Sequence, residues 1–192
     1  MKPVCIFLAL CMAPLAAAPG KAPDTEAEYT AKLEQRSSGI LKVLMLTDAA
    51  QSGKVKAILI AHYRALRTWH DANDPKLKGA DAAAIKATLK PIHDGFLKSL
   101  SDSGLAADQI DAVKDEMVYG KVQVTYNAYL QQNPGLTEVH KAHILTTLKE
   151  AREEAMDGGS SEEKSAIFNK YKGRINNYLS KEGFGKKKEA GR

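Results

Sequence analysis

Apolar residues recur every three or four positions along nearly the whole chain beyond residue 25, and no stretch of any length alternates with period two. That spacing places the apolar side chains of each segment on one face of an α-helix. Pro and Gly fall mostly between these segments, where their poor helix propensity does least harm. Short connections favour antiparallel packing of successive helices. The expected fold is therefore all-α: a single-domain antiparallel helical bundle of about six helices, one of them kinked by proline. A length of 192 residues suits one domain, and 44% hydrophobic content is enough for a core.

Local signals place the helices. Thr25 and Glu28 fit a capping box that opens the first, which runs through Leu33 toward Leu46. Thr47 is a good N-cap for the second, whose stripe is Val55, Ile58, Leu59, His62, Leu66 and Trp69. The third spans about 81–100, with Ile85, Leu89, Ile92, Phe96 and Leu100 on one face and Pro91 inside the pattern, which kinks or splits it. Asp108 is expected to cap the fourth, carrying Ile110, Val113 and Met117, then Tyr119, Val122, Tyr126 and Tyr129. Gly120 interrupts it at a cost of about 1 kcal/mol against Ala. A short strand around the β-branched Val122, Val124 and Thr125 is the competing reading; the length of the pattern favours helix. Thr137 caps the fifth, with Val139, Ala142, Leu145, Leu148 and Ala155 inward, and Ser160 with Glu163 forms a second capping box for the last. That last helix carries Ile167, Phe168, Tyr171, Ile175, Tyr178 and Leu179 at helical spacing.

Residues 1–20 read as a signal peptide: Lys2 supplies the positive start, Val4 to Ala18 the apolar run, and Ala16 to Ala18 the small residues for cleavage after Ala17, Ala18 or Gly20. The run is shorter than the ~20 residues a spanning helix needs. The domain is then 21–184, with a disordered basic tail at 185–192. Both cysteines, Cys5 and Cys11, lie inside the signal, and Leu10 stands where lipoprotein processing wants a small residue. The exported form has no disulfide, no thiolate nucleophile and no cysteine-bound zinc. The formal charge of +5 owes much to Lys186, Lys187, Lys188 and Arg192 in the tail, so no broad basic face for nucleic acid is expected, and no membrane contact after cleavage.

Few residues stand out as chemical groups. His140 and His143 are neighbours on the fifth helix, but no third ligand has metal-site spacing, and a solvated helix face accounts for them. His62, on an apolar stripe, reads as a hydrogen-bonded core histidine. Glu150, Glu153, Glu154 and Asp157 crowd around Arg152 and read as a salt-bridged surface. No nucleophile elbow, phosphate loop or zinc-protease motif is present. No catalytic residue, metal or cofactor is assigned. The last helix is the most unusual segment. Lys170, Arg174 and Asn177 share one face beside Tyr171, Ile175 and Tyr178, and Gly173 leaves room for a close neighbour. Cations and amides beside aromatic rings suit sugars, because rings stack on C–H faces, amides bond hydroxyls and Arg pairs with carboxylates. A core stripe edged by solubilising charge has the same pattern. Trp69 with Arg64, Arg67 and His70 is a second group of this kind. The candidate ligand-binding residues are thus Lys170, Arg174, Asn177, Tyr178, Trp69 and Arg67.

The runs DQIDAVKDEMVYGKVQVTYNAYL (108–130) and LKEAREEAMDGGSSEEKSAIFNKYKGRINNYLS (148–180) resemble the middle and closing blocks of a family of exported bacterial proteins catalogued as a domain of unknown function with a sugar-binding label. The resemblance covers about Tyr29 to Phe184. It implies an exported, periplasmic or extracellular protein working beside polysaccharide breakdown, and it transfers no catalytic residues. Together with the last helix it leads to the expectation of a non-catalytic accessory that binds a carbohydrate or an anionic glycan fragment. The alternatives are a periplasmic helical chaperone or stress adaptor, and a lyase or hydrolase acting on uronic-acid polymers.

Overall fold

A computed structural model describes residues 25–73 and 80–184. The signal segment and the basic tail lie outside the described residues. Eight helices are present among the described residues, and no strand: α1 (Glu26–Leu44), α2 (Ala49–Ala72), α3 (Ala80–Ala87), α4 (Lys90–Asp102), α5 (Ala107–Met117), α6 (Lys121–Gln132), α7 (Glu138–Ala155) and α8 (Ser161–Lys181). The all-α bundle is as expected. The count rises from six to eight because two of the expected helices are each divided.

The first division follows from proline. Pro91 sits in the first turn of α4, where its missing N–H costs nothing, and the chain turns at Thr88–Leu89 just before it. The second division is at Gly120. Tyr119 (φ 61°) and Gly120 (φ 63°) both adopt the left-handed conformation, which ends α5 and restarts the chain as α6. A glycine tolerates this freely; a tyrosine does so under strain.

The caps explain most boundaries. The Thr25–Glu28 box forms in full. Asp48, not Thr47, caps α2, because its carboxylate accepts the Ala50 N–H at 2.8 Å. The cap of α5 is Ala106 rather than Asp108, with Gln109 accepting the Ala106 N–H. At α8 the Ser160 hydroxyl accepts from Glu163 N–H, while the Glu163 carboxylate reaches one residue further back, to Gly159 N–H.

α1 pairs with α2, α2 with α4, α6 with α7, and α7 most extensively with α8; α5 packs against α1, α4 and α7. One core runs through the bundle, with Leu59, Leu100, Val113, Ile144, Leu148, Phe168 and Ile175 almost wholly excluded from solvent. The buried face of α7 is rotated from the expected one: Ile144, Thr147, Leu148, Ala151, Arg152 and Ala155 point inward, whereas Val139 and Ala142 are exposed. Arg152 belongs to that buried row because α5 presents carboxylates to it, so this segment is no exposed salt-bridged surface. Gly173 is exposed and nothing approaches it, so the close neighbour expected there is absent among the described residues. Among the described residues no helix is long and apolar enough to cross a membrane.

Candidate functional site

Positions 29 and 36 fall on one face of α1; 63, 67 and 70 fall on one face of α2, along the flank of its apolar stripe. Packing of α1 on α2 brings these faces together. The Tyr29 hydroxyl donates to the Tyr63 carbonyl at 3.1 Å, and the Arg67 guanidinium lies 4.1 Å from the centre of the Tyr29 ring. The α5–α6 turn contributes Tyr119, and the α7–α8 turn contributes Gly158, Gly159 and the start of α8. Between these four segments is a cavity of about 300 Å³, with Lys164 in its lining.

Several donors of the lining have no hydrogen-bond partner among the described residues. Arg36 makes no ion pair or hydrogen bond among the described residues; its guanidinium carbon stands 6.0 Å from the Tyr63 ring centre. Arg67 approaches Glu26 and Asp71 at 3.8 and 3.6 Å, too far for a hydrogen bond. The hydroxyls of Tyr63 and Tyr119 also have no hydrogen-bond partner among the described residues. Burial pushes the Tyr63 phenol up to about 12, so it keeps its proton at any physiological pH. Asp71 is the one carboxylate in the lining.

His70 is fixed in a single tautomer. Its Nε2 lies 2.8 Å from the Asp157 carbonyl, which can only accept, so Nε2 carries the hydrogen and Nδ1 the lone pair. Gly159 makes this packing possible: a Cβ there would stand 3.0 Å from the imidazole. Lys164 is 5% exposed and donates to the Met117 and Met156 carbonyls at 3.1 and 3.2 Å.

A family model described as "Protein of unknown function (DUF3826)" matches residues 30–191. The chain belongs to this family. No curated protein matches it. The DUF3826 match takes in every residue of the cavity lining except Tyr29.

Beneath the cavity the DUF3826 fold buries an acid–base cluster. His62 is 4% exposed and stacks flat on Phe96 at 3.9 Å, yet neither ring nitrogen has a hydrogen-bond partner, contrary to expectation. Its Nε2 faces Asp157 Oδ1, also unbonded, across 3.8 Å. The other Asp157 oxygen lies 2.9 Å from His93 Nδ1, and that bond raises the His93 pKa. Burial pulls His62 down to about 4, so it is neutral at pH 7. Unfolded, it titrates near 6.5. The depressed native value means that stability present above pH 6.5 is lost as pH falls toward 4, because the unfolded chain takes up the proton first. His93, with its raised value, acts in the opposite sense. His62→Leu isolates the first effect. Between pH 7 and 5 wild type should lose up to about 2 kcal/mol more than the variant in urea melts, and parallel losses would refute the assignment.

The sequence-derived candidates on α8 lie elsewhere. Arg174, Asn177 and Tyr178 border a shallow groove between α7 and α8, with His143, Thr147 and Glu150 opposite. Arg174 lies over the Tyr171 ring at 4.8 Å and 3.6 Å from Glu150. Lys170 is drawn away to Glu154, at 3.1 Å. Glu154 also accepts from Lys86 and from the Tyr171 hydroxyl; although burial opposes it, these partners hold its pKa at about 2. The solvated face expected for this pair holds for His143, which is exposed although its ring meets Tyr178 at 3.8 Å, and not for His140, which is half-buried against Phe184 at 4.9 Å. Trp69 donates to the Thr88 hydroxyl at 2.8 Å. Arg67 alone of the six candidates enters the cavity. Among the described residues no group of three or more His, Cys, Asp or Glu has metal-holding geometry.

Tyr29, Arg36, Tyr63, Tyr119 and Lys164 carry no motif. The sequence signal was the 63–67–70 spacing at the margin of the α2 apolar stripe, which groups a phenol, a guanidinium and an imidazole.

Proposed function

We propose that this protein is an exported binding protein for acidic saccharides, and that the cavity between α1, α2 and the α7–α8 turn receives one uronate unit. The single observation that carries this reading is the convergence around one hollow of Arg36, Tyr63 and Tyr119, whose side-chain donors have no hydrogen-bond partner among the described residues, with the Arg67 guanidinium beside them. A ligand that fits is rich in acceptors and negatively charged. A carboxylate offers two acceptor oxygens to a guanidinium fork. The phenol rings offer flat surfaces to sugar C–H groups, and a hollow of this size suits one sugar unit. The start of α8 adds backbone N–H groups and the positive end of its dipole at the same wall.

Calorimetric titration with galacturonate oligomers, neutral galactose oligomers and inorganic phosphate tests the reading. Acidic oligomers should bind, and neutral ones should not. Arg36→Ala should weaken binding by about 10- to 100-fold, the worth of a charge-assisted hydrogen bond to a carboxylate. Arg174→Ala should weaken it far less, because Arg174 lies outside the cavity, in the groove between α7 and α8. Equal binding of neutral and acidic oligomers, or an indifferent Arg36→Ala, would overturn the proposal.

A further inference from the structure

Holding an acidic sugar requires donors; it does not require a base. Yet the cavity lining includes one. The Nε2–H of His70 is committed to the Asp157 carbonyl, which leaves Nδ1 as a lone pair on a ring packed against Gly159. The same hollow holds an unpaired guanidinium, Arg36, and a phenol with no hydrogen-bond partner among the described residues, Tyr63, whose ring that guanidinium overlies. A base, a charge neutraliser and an acid in one hollow form the set needed to remove a proton α to a carboxylate and expel an oxygen β to it.

A uronate unit inside a polysaccharide presents that arrangement. Its C5–H is α to the carboxylate, and its C4 carries the glycosidic oxygen. We propose that the cavity cleaves uronate chains by β-elimination, with His70 as base, Arg36 on the carboxylate and Tyr63 as acid. The inference rests on the reading of the cavity as a uronate site.

The step balances without a further reactant. His70 Nδ1 takes the C5 proton, and the electron pair of that bond becomes the C4–C5 double bond. The C4–O bond breaks and its electrons stay on the oxygen, which takes the Tyr63 hydroxyl proton. One product ends in a 4,5-unsaturated uronate and the other in a free hydroxyl. Imidazolium and phenolate then return to their starting states by proton exchange with water. The guanidinium acts where charge develops, since loss of the α proton pushes a second negative charge toward the carboxylate oxygens. Burial keeps Tyr63 protonated and able to donate.

The experiment has two arms on the purified protein. One measures equilibrium binding of a saturated galacturonate trisaccharide. The other follows turnover of polygalacturonate and of a glucuronate polymer by the ultraviolet absorbance of the conjugated double bond, with product masses by mass spectrometry. The expected products are unsaturated and contain no added water. His70→Gln keeps a donor for the Asp157 carbonyl and removes the ring lone pair; Tyr63→Phe removes only the hydroxyl. Each should cut turnover at least about 100-fold; His70→Gln should leave binding within a few-fold, while Tyr63→Phe, which also removes a binding donor, should weaken it by no more than about 10-fold. Binding without unsaturated product would overturn the elimination and leave the binding reading standing. So would products that have gained water, or variants that turn over at the wild-type rate. Absence of binding would remove both.

Discussion

Lys164→Met should lower the unfolding free energy by about 3–5 kcal/mol, one of the two largest losses expected from a single side chain here. The Lys164 ammonium is buried between two helix ends. Met117 closes α5 and Met156 caps α7, and both of their carbonyls accept from Nζ. Carbonyls at a helix C-terminus have no partner within the helix, and they carry the negative end of its dipole. One cation therefore satisfies two ends at once. Methionine keeps most of the stem's volume and removes the ammonium, leaving both carbonyls with a missing donor; a hydrogen bond to a charged group is worth about 1.5–3 kcal/mol. Burial draws the Lys164 pKa down to about 8, which still leaves it charged at pH 7. Urea melts at pH 7 and a fall in Tm of about 10 °C would register the loss. A change below about 1 kcal/mol would show that water replaces the ammonium without cost.

Arg152→Leu should destabilise by about 3 kcal/mol through the opposite kind of failure, the stranding of negative charge. Arg152 is 3% exposed, and its guanidinium donates to Asp111 and Asp115 on α5 at 2.8 and 2.9 Å and to Glu153 at 3.0 Å. Three carboxylates converge on one cation, and the two from α5 clamp α7 to that helix. Burial pushes the Asp111 carboxyl upward, but the Arg152 guanidinium outweighs it and holds the pKa below the usual value. Without that cation the carboxylates repel one another. They are partly exposed and recover some hydration, which places the estimate at the lower end of the range for a broken buried pair. The depressed Asp111 pKa means that its share of wild-type stability is present above about pH 4 and lost as pH falls further. In the variant, acid relieves the repulsion, so the gap between the two proteins should narrow toward pH 4. Adding Asp111→Asn to Arg152→Leu should recover part of the loss, and a double-mutant cycle gives the coupling. A gap that stayed constant with pH would contradict the electrostatic account.

By residue type and immediate neighbours Lys164 and Arg152 resemble surface cations. Lys164 follows two glutamates and precedes a serine, and Arg152 sits among acids. Helical spacing does put both on apolar stripes, Lys164 three and four positions before Ile167 and Phe168, and Arg152 four after Leu148 and three before Ala155. It does not name the groups that meet their charges. What buries them is the place where α5 ends and where α5 and α7 cross, and that depends on contacts about 40 residues apart in the chain. The same reason accounts for the α7 stripe: Val139 and Ala142 have the right spacing, but near the start of α7 no helix among the described residues covers that face, and both are exposed. The α8 candidates were visible for their residue types, yet their cations are met by Glu150 and Glu154 of the neighbouring helix.

The linear order of residues determined what is settled within a few turns of chain. Helical period, the Thr25 and Thr137 caps, the break before Pro91 and the buried row Val55, Leu59, His62 and Leu66 follow from dihedral preference, local hydrogen bonding and apolar spacing. Only the packed bundle decided which polar faces meet. Tyr29, Tyr63, Tyr119 and Lys164 are brought around one hollow by segments far apart in the chain. Burial of apolar stripes drives the helices together without regard to the polar groups along their margins, and the cavity is where those margins converge.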